Sequence, residues 1–213
     1  MLDRMEFFET PPRRDMESEP EPEIVPPPWF GPPDDMLGGV VPIEKMLFQS
    51  DAIAVALSSA MAFSEGVKLY VQLAARRTTE MDEESWWRRQ DTVSGRVHHP
   101  IRRGEPLSAE VLRFGVRFHD GTKATTVDSR PYFWEWPPPQ PDGPILTEAE
   151  GGGGGGSDRR FRFGWTMWLW PLPPAEPFEF AVEWPAWDVP LTFTTVDGAA
   201  IAAAAHRVQP YWP

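Results

Sequence analysis

The chain holds 213 residues, enough for one domain with an arm, and its 41% hydrophobic and 24% charged content is ordinary for a folded protein. It contains no cysteine, which excludes a disulfide framework, a thiol nucleophile and a Cys-ligated zinc or iron–sulfur site. The net charge of −12 argues against nucleic acid as the main partner, since phosphate binding needs a surplus of Lys and Arg.

Residues 1–39 read as an acidic, proline-rich arm, partly disordered, in which ten carboxylates stand against three arginines and nine prolines occur. Proline fixes φ and lacks an N–H, and like charges repel, so the arm is expected to be extended. Phe7, Phe8, Trp29 and Phe30 can pin it to a body, and the stretch Pro-Pro-Pro-Trp-Phe-Gly-Pro-Pro at 26–33 is the expected docking point. No apolar signal-peptide core follows Met1 and no run of 18 apolar residues occurs, so a cytoplasmic protein without membrane insertion is expected.

Residues 40–213 read as a single β-sandwich domain. Ile53, Val55, Leu57, Met61 and Phe63 alternate with small residues, the period-2 pattern of a strand. After Ser64-Glu65-Gly66, where glycine suits a positive φ, Val67, Leu69, Val71 and Leu73 alternate in turn, which predicts a hairpin. A short helix or turn is expected over 79–90, with Asp82, Glu83 and Glu84 early and Arg88 and Arg89 late. Leu112, Phe114, Val116 and Phe118 then lead to Asp120-Gly121, the sequence of a type I′ turn, and Thr122 to Val127 returns.

The six glycines 151–156 are expected at a flexible hairpin tip, since a phosphate-binding loop needs spaced glycines, a Lys-Ser/Thr pair and a following helix. Phe161, Phe163, Trp165, Met167 and Leu169 form one face of the next strand, with Trp168 and Trp170 on the other. Phe178, Phe180, Val182 and Trp184 make another strand, Leu191 to Val196 one more, and Asp197 can cap a helix over 198–206. Together these predict a mostly β protein: an antiparallel sandwich of about seven or eight strands with one short C-terminal helix.

Three of these segments resemble sequences of uncharacterised β-rich proteins of actinobacteria. They are Asp51–Leu57 (DAIAVAL), Phe114–Thr125 (FGVRFHDGTKAT), and Trp168–Pro174 (WLWPLPP) with Phe180–Pro185 (FAVEWP). The resemblance implies a stand-alone bacterial protein and brings no catalytic residue with it, because that group has no assigned activity.

Tryptophan carries the binding candidates. Trp168 and Trp170 are one strand period apart, about 7 Å, and would form a stacking platform if their face were open. The competing reading covers them with the arm residues 26–33 or with the loop holding Trp134 and Trp136. The favoured function is a non-catalytic protein-binding sandwich with Trp134, Trp168, Trp170 and Trp187 as anchors and another protein as partner. A carbohydrate-binding module using Trp168 and Trp170 is the first alternative. An enzyme near His98, His99 and His119 is the second. Those histidines with Asp120 are also the only metal candidates, but they lack helical or His-x-His spacing, so neither metal nor cofactor is expected. Glu179 and Glu183, outward on one strand, are expected to pair with arginines of a neighbouring strand such as Arg117 or Arg162.

Overall fold

Alternating apolar side chains build most of the molecule. The computed structural model describes residues 25–93, 106–128 and 136–213. In chain order the elements are β1 (Met36–Leu37), β2 (Gly39–Gln49), β3 (Ile53–Ala62), β4 (Val67–Arg76), α1 (Glu83–Val93), β5 (Arg113–Arg117) and β6 (Lys123–Thr125). There follow β7 (Ile145–Gly156), β8 (Arg160–Trp170), β9 (Phe178–Trp184), a 3-10 turn (Pro185–Trp187), β10 (Val189–Val196), α2 (Gly198–Ala205) and β11 (Gln209–Pro210). The chain is mostly β, as expected, with antiparallel sheets and two short helices.

Five strands in the order β2-β3-β4-β8-β7 form the larger sheet, and β10-β9-β5-β6 form the smaller one. The two pack face to face: the ring of Phe114 on β5 meets Trp165 on β8 edge-on at 5.7 Å. Leu57, Leu69, Leu73, Met167, Phe178 and Phe180 are among the fully buried side chains between them. Each such burial contributes roughly 1.5–3 kcal/mol. Of the arginines expected to meet Glu179 and Glu183, Arg117 pairs with Glu179 on the outside of the smaller sheet, whereas Arg162 lies on β8 of the other sheet and Arg113 takes Glu183 instead, both pairs at 2.5 Å. Arg117–Glu179 lies open to solvent, where such a pair contributes at most about 1 kcal/mol, while Arg113–Glu183 is partly covered.

Three local expectations are corrected. Along β3 the inward face switches from Ile53, Val55 and Leu57 to Ala60 and Ala62. A bulge between Leu57 and Ser59 inserts one residue and turns Met61 outward, as any one-residue slip in a period-2 element must. The Asp120-Gly121 turn is not type I′, because Gly121 (φ +86°) alone there has positive φ. The amide of Gly121 bonds Phe118 O and that of Phe118 bonds Thr122 O, giving a three-residue loop that ends in a left-handed glycine.

The third correction concerns glycines 151–156, which lie within β7 rather than at a tip. Alternate glycines meet aromatic partners: Gly154 registers with Phe163 and Gly156 with Phe161, whose rings stack 6.2 Å apart. A β-carbon at Gly152, Gly154 or Gly156 would collide with those rings or the backbone of β8, whereas Gly153 and Gly155 face open space. The tip is Ser157–Arg159, and α1 holds it. The indole N–H of Trp86 and the amide of Gln90 both donate to Ser157 O, at 3.0 and 3.2 Å.

Candidate functional site

The outer face of the larger sheet carries a layer of proline and tryptophan. On β8, even-numbered side chains point away from the core, which places Trp168 and Trp170 there, opposite Met167 and Leu169. Residues 25–33 lie across these two indoles. Trp168 Nε1 donates to Pro28 O at 3.0 Å, and Trp29 meets Trp170 edge-on at 5.9 Å. Trp29 Nε1 in turn donates to Pro138 O at 3.0 Å, and Phe30 packs edge-on against Trp136 at 5.1 Å. Proline accepts well in such contacts, since its carbonyl remains and its ring offers an apolar face at little entropic cost.

Beneath the layer the hairpin between β3 and β4 closes against the same indole. Phe63 lies edge-on to Trp168 at 5.9 Å, and a β-carbon on Gly66 would stand 2.5 Å from that ring. Gly66 therefore serves close approach and not the positive φ expected of it. A cleft of about 390 Å³ remains beside the arm, lined by Val25, Pro26, Pro28, Asp34, Glu65 and Trp168.

The four tryptophans singled out from the sequence have different fates. Trp168 is fully buried and Trp170 half-buried, so the open platform is corrected: residues 26–33 cover it. Trp187 is also enclosed, 1% exposed, so it is no surface anchor. Its ring lies 5.5 Å from Trp184 and 6.3 Å from Trp86, with the guanidinium of Arg89 5.2 Å above it. Trp134 lies outside the described residues, as do His98 and His99. Among the described residues, the exposed tryptophans are Trp87, Trp136 and Trp212. Their exposure follows from tertiary packing alone, and no periodicity announced it.

His119 and Asp120 sit together on the exposed shoulder of the β5–β6 loop. The Asp120 carboxylate is committed to its own turn: the hydroxyl and then the amide of Thr122 bond it and hold its pKa below the usual carboxylate range. Among the described residues no three His, Asp or Glu side chains gather as a metal-binding group. At the opposite end of the sandwich, a cleft of about 640 Å³ runs between α1 and the 3-10 turn. Both arginines on its walls have close partners, Arg89 with Asp188 at 3.7 Å and Arg88 with Glu84 at 2.9 Å.

No protein-family model, curated protein or solved structure matches this chain.

Proposed function

We propose that the protein is a non-catalytic binding module whose tryptophan face recognises extended, proline-rich peptide, and that its partner is another protein. The observation that carries the reading is the bond from the Trp168 indole to Pro28 O, inside a run of three prolines laid over Trp168 and Trp170. Proline-rich ligands are bound in this manner elsewhere: aromatic grooves clamp a pre-extended chain, and indole donors read its carbonyls. Here the occupant is a segment of the same chain, so an external peptide must compete with a tethered one. Tethering gives the resident segment an effective concentration of about millimolar order.

The test uses the full chain and a fluorescein-labelled peptide copying residues 25–35. Trp29→Ala with Phe30→Ala loosens the resident segment and is expected to strengthen peptide binding about tenfold over the wild type. Adding Trp168→Ala should abolish it. Peptide binding that ignores Trp168 would overturn the reading, and a tryptophan fluorescence shift with glycans but not with peptide would favour the carbohydrate alternative.

A further inference from the structure

Away from the proline–tryptophan layer, the larger sheet ends in bare backbone. Over Gly153–Gly156, β7 has β8 on one side and, among the described residues, no strand on the other. All four glycines are exposed. Gly154 and Gly156 answer a steric need, because the rings of Phe163 and Phe161 and the backbone of β8 leave no room for a β-carbon. No such need applies to Gly153 and Gly155, which face open space. Nor does it apply to Gly164 on β8, the register partner of Gly153, where a β-carbon would find its nearest neighbour at 3.7 Å. Glycine inside a strand costs conformational entropy and packs nothing, so outward glycines without a steric cause mark a place where another backbone comes close.

Charge defines what approaches. Gly155 registers with Arg162, and Arg160 follows at the hairpin end, opposite Arg76 of β4. Arg76 pairs with Asp51 at 3.5 Å, whereas Arg160 and Arg162 are exposed and form no ion pair among the described residues. β4 and β8 contain no carboxylate, in a chain whose net charge is −12. Neighbouring strands lie about 5 Å apart, so a strand added beyond β7 runs about 10 Å from β8. With glycine at 153 and 155, no side chain of β7 stands between Arg162 and the outward side chains of that strand.

We infer that this margin is a second binding site, which takes an extended acidic segment of another protein as an added strand. The backbone of the segment pairs with Gly153–Gly156, and its carboxylates, one at every second residue, meet Arg162 and Arg160. Main-chain hydrogen bonds supply the affinity in such additions, and alternate side chains supply the specificity. A basic segment is repelled by the same two arginines. The cleft beside the arm, with Val25, Ser64 and Glu65, lies at the opposite end of the sheet, so this site does not depend on the Trp168 face.

The test uses the full chain and a peptide alternating threonine and glutamate over about nine residues, the length of a long strand. Hydrogen exchange of the amides of Gly153–Gly156 is followed by NMR. Millimolar peptide is expected to slow exchange in this stretch about tenfold at low salt. The protection should fade at 1 M salt, where the screening length is about 3 Å. A peptide alternating threonine and lysine should give none. Arg160→Glu with Arg162→Glu should reverse the preference between the two peptides, and unchanged tryptophan fluorescence and Tm would show that this variant is folded. Glycine amides that exchange equally fast with and without the acidic peptide would overturn the inference. Equal binding by an acidic peptide with two adjacent central prolines would also overturn it, since charge without backbone pairing would then explain the contact. So would protection that grows with protein concentration in the absence of peptide, because the occupant would then be a second copy.

Discussion

Two tryptophans packed against each other show how little burial alone says about a side chain's contribution. Trp184 and Trp187 are both essentially inaccessible, 0% and 1% exposed. Trp184 Nε1 donates to Glu110 O at 3.0 Å, whereas Trp187 Nε1 is buried with no hydrogen-bond partner among the described residues. Phenylalanine at 184 gives up a hydrogen bond worth about 1 kcal/mol, while phenylalanine at 187 relieves a donor already unsatisfied. Trp184→Phe should therefore lower denaturant stability more than Trp187→Phe, and equal losses in urea unfolding would refute the assignment. The glycines allow a sharper pair. Gly154→Ala drives a β-carbon into the backbone and ring of β8 and should destabilise the fold, while Gly155→Ala faces open space and should be neutral or slightly stabilising. Thermal melts of the two variants decide it.

Elements with a strict alternation and a single register were legible from the amino acids alone. β4, β8 and β9 keep one face inward throughout, so their core residues could be read directly. β2 was not legible. Pro42, Glu44 and Lys45 interrupt its pattern, Glu44 takes φ +53°, and two register shifts break its pairing with β3. α2 was legible through its cap: the Asp197 side chain accepts from Ala200 N at 3.1 Å, and Asp197→Ala should cost about 1 kcal/mol. α1 starts later than its charges suggested, because Asp82 is the capping residue and not a helical one. Ser85 donates its amide and its hydroxyl to Asp82 and holds that pKa below the usual carboxylate range. A depressed folded-state pKa means the cap stabilises the helix above the unfolded value of about 3.9 and is lost as pH falls through the folded one. Amide exchange across α1 should accelerate in that acid window for the wild type, and Asp82→Asn should flatten the dependence while fraying the helix at neutral pH.

At the scale of the whole molecule, the arm belongs to the fold from Pro26 onward. Removing residues 1–24 leaves Trp168, Trp29 and Trp136 with their partners, so the melting temperature should hardly change. Removing residues 1–33 uncovers Trp168 and Trp170 together. That loss of aromatic burial and one indole hydrogen bond should lower Tm by roughly 5–10 °C for a chain of this size. Equal effects of the two truncations would mean that the proline–tryptophan layer contributes nothing. The sequence named both parties to this contact, the prolines at 26–33 and the indoles at 168 and 170. It left open which of two segments did the covering, because two segments rich in proline and aromatic residues competed for one face. Only the three-dimensional path of the chain decides such a competition.

One further consequence belongs to β7. It is the outermost strand of the larger sheet, and over Gly153–Gly156 it shows solvent nothing but backbone. Bare sheet margins of that kind invite identical molecules to add strand to strand, and most proteins guard them with lysine, proline or a kink. Here the guard stands on the neighbouring strand: Arg162 registers with Gly155 and Arg160 follows at the hairpin end. Two molecules approaching margin to margin would bring like charges together before their amides could meet. By that logic the arginines act as gatekeepers of solubility. Neutralising them should make the protein precipitate at concentrations where the wild type stays monodisperse.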